Sequence, residues 1–252
     1  MKGARFEGFS AGMFEFLRGL TKNNHKEWFD RHRREYETDV LGPMKAFVSE
    51  LGPILRMLNQ DFETEPRVGR TVSRINNDIR FHKDRPRYRP FLYAAFPRRG
   101  QKWNSEPLLY AGAYRHGVTV GFYPGGHRDK RIGPMQRAIK ENLRLFQHYL
   151  TERRIAESYW ELAGEEGEAV TKWPLPPTAR RWANLEGFTV GQYFPASDPI
   201  LGSRAFLDLA QEIMLDLYPL WLFAVNENLR DNYDLYLENA QLLARPLTKT
   251  AV

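Results

Sequence analysis

The sequence contains no cysteine, and this absence removes several classes of function. Disulfide bonds, thiolate nucleophiles and zinc or iron–sulfur sites with cysteine ligands are all excluded. The absence also fits a reducing compartment, and the first residues, Met1 to Phe9, carry no apolar signal core. We therefore expect a cytoplasmic protein.

Long apolar runs are missing as well. The longest extends from Leu220 to Val225, whereas a helix needs about 20 apolar residues to cross a bilayer. We expect no membrane partner.

Familiar catalytic motifs are absent too. The chain has no Walker phosphate loop, no Gly-x-Ser-x-Gly nucleophile elbow and no His-Glu-x-x-His pair. These reaction classes are disfavoured, no cofactor is predicted, and the sequence assigns no reaction.

What the sequence does contain is enough apolar material for a continuous core. Hydrophobic residues make up 42% and aromatic residues 13%, a composition typical of globular proteins. Helical apolar spacing predicts three helices before residue 60 and more after residue 134, while alternating runs at 91–96, 108–114 and 118–123 predict strands, the last two in a hairpin. We predict one α+β domain over residues 1–252, its mainly antiparallel sheet packed against N-terminal and later C-terminal helices.

Three local patterns give finer expectations. Val68, Val72 and Ile75 predict a strand, and residues 188–194 predict an edge strand. Pro219 is expected to end a helix that begins at Pro199, because proline lacks the backbone N–H that a helix interior uses.

The positive charge is concentrated in one region. The chain carries a formal charge of +6, yet residues 67–102 contain eleven Lys or Arg and two Asp, a local net charge of +9, so the remainder is near −3. Arginine supplies most of it, and its planar fork suits phosphate or carboxylate groups. This pattern predicts an anionic partner. The alternative is a solvated arginine-rich face.

Residues 74–90 are the densest part of this region. The six cations are Arg74, Arg80, Lys83, Arg85, Arg87 and Arg89, against Asp78 and Asp84. Pro86 and Pro90 favour extended backbone in the residues before them, so the loop should be stiff. The predicted ligand-binding residues are Asn23, Asn24, Arg74, Asp78, Arg80, Lys83 and Arg89. Capping of a helix that starts near Glu27 is an alternative role for Asn24.

Asp78, His82 and Asp84 are the catalytic candidates. Carboxylate and imidazole groups at this spacing converge in a loop that turns back, as acid/base groups or metal ligands. The alternative is that the carboxylates pair with neighbouring arginines and hold the shape of the loop. No metal is predicted, because six cations would compete with it.

These observations give an ordered set of hypotheses. The preferred ligand is an anionic small molecule, a phosphorylated metabolite or nucleotide, followed by nucleic acid. The alternatives are a phosphate-ester hydrolase that uses Asp78 and His82, or a docking face for nucleic acid or an acidic protein. Oligomeric state is not predicted.

Two motifs carry a resemblance to a known family. The segments from Asn23 to Phe29 and from Arg74 to Arg89 resemble the motifs of domain of unknown function family 2461, over about residues 6–225, which leaves 226–252 as a C-terminal extension. The matching positions are Asn23, Asn24, Trp28, Phe29, Asp78, Arg80, Phe81, Lys83, Asp84 and Tyr88. Asn77 departs from the family pattern, which usually has arginine there, and residues 85–89 depart from a Ser-Pro-Tyr-Lys-like sequence. The resemblance implies where the site lies and adds no chemistry.

Overall fold

The computed structural model describes residues 5–80, 85–125, 132–163 and 170–244. The helices there are α1 Ala11–Lys22, α2 Lys26–Arg31, α3 Arg33–Glu35, α4 Gly42–Leu58, α5 Ile132–Glu141, α6 Leu143–Glu152, α7 Ile155–Ser158, α8 Ala179–Trp182, α9 Ala205–Val225 and α10 Leu229–Ala244. A π-helical stretch, Tyr36–Leu41, joins α3 to α4. None of the helices within these ranges combines the length and the apolar character that a membrane span requires.

The strands form one antiparallel sheet, which confirms the predicted α+β class. They are β1 Phe91–Ala95, β2 Leu108–Tyr114, β3 Gly117–Tyr123, β4 Trp160–Ala163, β5 Thr171–Pro174 and β6 Val190–Pro195. Their order across the sheet is β1-β2-β3-β6-β4-β5. The predicted β2–β3 hairpin is confirmed, with Tyr114 opposite Gly117 at its turn.

The main core lies between the sheet and the helices. The helix α9 packs against β2, β3 and β6 and also contacts α4, α5 and α10. It is apolar on most sides, which is typical of a helix enclosed by other elements rather than one lying on a surface. Alternate residues of β2 and β3, such as Leu109, Ala111, Val118 and Val120, face this core.

The expectation that Pro219 ends a helix was wrong. The helix α9 continues through Pro219 to Val225. An interior proline costs about 3 kcal/mol, but burying one large apolar side chain recovers about 1.5–3 kcal/mol. Because Leu220, Trp221 and Phe223 are all buried just beyond the proline, continuing the helix is favourable.

The strand predictions also need correction. Residues 188–194 were expected at an edge, yet β6 lies inside the sheet between β3 and β4. The hairpin of β4 and β5 that covers it was not predicted, because both strands have only four residues. The predicted strand through Val72 is reduced to isolated bridges, one of which joins Val72 to Ala94 of β1.

Arg98 joins the connection between β1 and β2 to the connection between α9 and α10. Its Nε and Nη2 donate to the Glu106 carboxylate at 2.7 and 3.0 Å, and Nη1 donates to Glu227 at 2.9 Å. The Arg98 guanidinium also lies over the Trp221 ring, 5.9 Å from its centroid. The side chain of Glu106 is only 8% exposed, so removing this arginine would leave the carboxylate buried without its ion-pair partner.

We predict that Arg98→Ala lowers the free energy of unfolding by about 3 kcal/mol, because it leaves the Glu106 carboxylate buried without its partner. Arg99→Ala is the matched control. Arg99 is an exposed neighbour whose nearest acid, Asp61, is 3.8 Å away, so we expect a loss of about 0.5 kcal/mol. Denaturant titration measures both, and equal losses would contradict the role assigned to Arg98.

Asp216 lies in a second polar cluster, between α6 and α9. Its carboxylate accepts hydrogen bonds from the Tyr159 hydroxyl at 2.8 Å and from Arg153 Nη1 at 3.2 Å. Burial raises the pKa of Asp216 above its ordinary value of 3.8, although the bonds from Tyr159 and Arg153 act in the opposite direction. The ionised carboxylate is therefore held at a net cost to the folded state.

We predict a pH-dependent difference between the native protein and Asp216→Asn. A carboxyl whose folded pKa is raised contributes its full stability below its ordinary pKa, and that contribution is lost as the pH rises through the folded pKa. The native protein should therefore lose stability relative to Asp216→Asn as the pH rises from below 3.8 to 7. Urea titrations across this range measure the difference, and a trend in the opposite direction would disprove the assignment.

Candidate functional site

The arginine-rich segment folds back on itself, and we call residues 74–89 the arginine hairpin. The Arg89 N–H donates to the Ile75 carbonyl at 2.7 Å, and the Asn77 N–H donates to the Arg87 carbonyl at 2.9 Å. The Asn77 side chain donates to the Pro86 carbonyl at 2.7 Å and accepts from Arg89 Nε at 2.8 Å. Asn77, which departs from the family pattern, thus joins the two arms of the hairpin.

Tyr88 anchors the arginine hairpin to the body of the protein. The backbone N–H of Tyr88 donates to Asn24 Oδ1, and its carbonyl accepts from Asn24 Nδ2, both at 2.8 Å. Its ring is 4% exposed and stacks on Phe29 with centroids 4.3 Å apart. One asparagine therefore satisfies both polar groups of the Tyr88 backbone.

The alternative role of Asn24 as a helix N-cap was wrong. The N-cap of α2 is His25, whose side chain accepts from the Trp28 N–H at 3.4 Å. Asn23 instead closes the C-terminal end of α1, since both its backbone N–H and its Nδ2 donate to the Gly19 carbonyl, at 3.0 and 3.1 Å. Asn23 thus makes a structural contact with α1, and among the described residues only Asn24 of the two contacts the hairpin.

Asp78 and Arg80 form an ion pair with each other. Arg80 Nη2 lies 2.6 Å from Asp78 Oδ2, and Arg80 Nε lies 2.9 Å from Asp78 Oδ1. This hydrogen bonding raises the pKa of Arg80. Both side chains are mainly exposed, so the pair fits the alternative in which the carboxylate holds the shape of the loop.

The other arginines of the hairpin differ from Arg80 in their ion pairing. Arg74, Arg85 and Arg87 are exposed, and Arg89 is partly buried. Within the described ranges these four arginines make no ion pair with a carboxylate. The remaining candidates of this segment, His82, Lys83 and Asp84, together with Phe81, lie outside the described residues.

Acids from elsewhere neutralise several other cations of the +9 region. Arg70 pairs with Glu63 at 2.9 Å, and Arg98 pairs with Glu106 and Glu227. The charge excess read from the sequence is therefore smaller in space, and it is concentrated in the arginine hairpin. In the part of the chain that the structure describes, no group of three His, Asp or Glu side chains is placed to hold a metal ion.

A separate basic groove was not found from the sequence. It has a volume of about 680 Å³ and is lined by Arg18, Thr21, Lys22, Arg115, His116, Pro195, Ala196 and Ser197. Its cations come from α1 and from the β2–β3 turn, which are more than 90 residues apart in the chain. No local charge run marks it, and the predicted hairpin only indicated that Arg115 lies near a turn.

The fold and the site define an α+β protein whose sheet carries an anchored basic hairpin at one end. A family model matches residues 12–223, and the chain belongs to that family, described as conserved hypothetical protein (DUF2461). The expected resemblance is thereby confirmed. No curated protein matches the chain.

We predict that Asn24→Ala lowers the free energy of unfolding by about 2 kcal/mol, because two hydrogen bonds to the Tyr88 backbone are lost at about 1 kcal/mol each. The Tyr88 amide should also exchange with solvent faster. Asn23→Ala is the matched control, since its backbone bond to Gly19 remains, and it should leave Tyr88 exchange unchanged. Slow Tyr88 exchange in Asn24→Ala would refute the anchoring role.

Proposed function

We propose that the protein binds a phosphate-bearing ligand at the arginine hairpin. The observation that carries the proposal is the ion pairing of four hairpin arginines, Arg74, Arg85, Arg87 and Arg89. Within the described residues, they have no carboxylate partner, although the hairpin that carries them is fixed in place. Uncompensated like charges on a short segment repel one another, and a bound anion relieves that repulsion.

The anchoring also orients the arginines. Tyr88 points into the core, and successive side chains of an extended backbone alternate in direction, so Arg87 and Arg89 face away from the core. The bridge between Asn76 and Tyr88 supports this extended geometry. Fixed donors lose less conformational entropy when they bind an anion than mobile ones do.

The preferred ligand is a phosphorylated small molecule or nucleotide, in line with the cytoplasmic location expected from the sequence. Nucleic acid is the second candidate, since Arg74, Arg85 and Arg87 are exposed and accessible to a polyanion. The hydrolase alternative assigns the acid or base role to Asp78 or His82, and His82 lies outside the described residues. None of the described contacts favours that role, because the Asp78 carboxylate is hydrogen bonded to Arg80.

We predict that Arg85→Gln/Arg87→Gln weakens binding of AMP at least tenfold when binding is followed at the Tyr88 and Arg89 amides by NMR titration of the ¹⁵N-labelled protein, because charge-assisted hydrogen bonds contribute about 1.5–3 kcal/mol each. The matched control is Arg180→Gln/Arg181→Gln, which removes two exposed arginines from α8 and changes the net charge equally. We expect the control to bind AMP as the native protein does.

A single-stranded DNA oligonucleotide distinguishes the two ligand classes. If nucleic acid is the ligand, its affinity falls steeply with added salt and exceeds that of AMP. Equal losses in the hairpin and control variants, or no binding of either probe, would contradict the proposal.

A further inference from the structure

We infer that the basic groove is a second anion site, which binds the phosphate group of a small organic phosphate monoester. The groove is formed by the end of α1, the β2–β3 turn and the residues that follow β6. It shares no lining residue with the arginine hairpin, so this site goes beyond the proposed function.

The charges of the groove are unopposed. Arg18, Lys22 and Arg115 make no ion pair with a carboxylate in the described parts of the chain. Asp198, the acid nearest in sequence to the groove lining, accepts a hydrogen bond from the Ile200 N–H at 3.0 Å and caps the turn that follows.

Helix capping explains only part of this arrangement. Basic residues in the last turn of a helix interact favourably with its dipole, and Lys22 lies in that turn of α1. Arg18, however, donates from Nη1 to the carbonyl of Arg115, at 3.2 Å. Arg115 lies in the turn between β2 and β3, so the dipole of α1 does not account for the position of Arg115.

The turn that carries Arg115 is held firmly. The His116 carbonyl accepts from the Tyr193 hydroxyl at 2.7 Å and from the Ala196 N–H at 2.8 Å. The His116 ring lies parallel to the Tyr114 ring, with centroids 5.6 Å apart. The groove therefore brings cations together on a preorganised frame, which lowers the entropic cost of binding.

The size and lining of the groove indicate the class of ligand. Its volume of about 680 Å³ is within the range of small-molecule sites, about 300–1,000 Å³, and far exceeds what a bare phosphate ion needs. Pro195 and Ala196 supply an apolar wall, while Ser197 adds an exposed hydroxyl. A phosphate group carried on an apolar organic body matches both features.

A second cavity offers a useful contrast. It has a volume of about 400 Å³, lies where α4, α9 and α10 meet, and is lined in part by Arg98. Arg98 is already bound by Glu106 and Glu227, so its charge is neutralised from within the protein. The groove has no such internal acid among its lining residues.

The test is an NMR titration of the ¹⁵N-labelled protein that follows the Ala196 and Ser197 amides. Phenyl phosphate should shift both signals in a saturable manner, whereas inorganic phosphate, without an apolar body, and phenol, without a phosphate, should each bind at least tenfold more weakly. Lys22→Gln and Arg115→Gln should each weaken phenyl phosphate binding at least tenfold. Neither change removes the Arg115 carbonyl that Arg18 binds, so both variants should fold.

The controls separate this site from the arginine hairpin. Arg34→Gln, at an exposed position outside the groove, and Arg85→Gln/Arg87→Gln should leave phenyl phosphate binding at the groove unchanged. Absence of saturable shifts, equal binding of inorganic phosphate, or indifference to Arg115→Gln would overturn the inference. Loss of groove binding in the hairpin variant would show that the two sites are not independent, and would overturn it too.

Discussion

The geometry of the candidate site depends on the pair of hydrogen bonds between Asn24 and the Tyr88 backbone. A buried backbone N–H and carbonyl cost free energy when unpaired, and among the residues that the structure describes Tyr88 takes part in an isolated bridge rather than a regular strand. An amide side chain supplies both a donor and an acceptor, so Asn24 acts in place of a neighbouring strand. Stacking of Tyr88 on Phe29 then ties the hairpin to α2, 59 residues earlier in the sequence.

The charge excess counted along the sequence differs from the excess in the folded protein. In sequence, eleven cations faced two acids between residues 67 and 102. In space, Arg70 and Arg98 find carboxylates contributed from outside that stretch, and Arg80 is matched by Asp78. Electrostatic energy depends on distance through space, so counting charges along the chain overestimates the excess. The excess positive charge that remains lies on arginines whose backbone is fixed. Binding of an external anion is most favourable under that condition.

The parts of the fold that were predictable are those set by local patterns. Local patterns identified β1 and the β2–β3 hairpin, and apolar spacing identified α1, α4 and most of α9. The path of α9 through Pro219 could not be predicted, because burial of distant surfaces outweighs the local cost of the proline. The role of Asn24 and the basic groove could not be predicted from the sequence for a related reason. Each depends on contacts between segments more than 60 residues apart, and no motif records such contacts.

Chain connectivity places the two basic sites at the same end of the sheet. Phe91, which follows the arginine hairpin directly, is paired with Tyr114, and Tyr114 precedes Arg115 of the groove. Lys22 likewise lies two residues before Asn24, the anchor of the hairpin. Long-range electrostatic fields change the association rates of anions more than their affinities, so the shared location affects how fast an anion arrives, while the contacts within each site set its affinity. Because Arg85 and Arg87 of the hairpin and Arg115 of the groove lie at this end, an approaching anion is drawn preferentially to it.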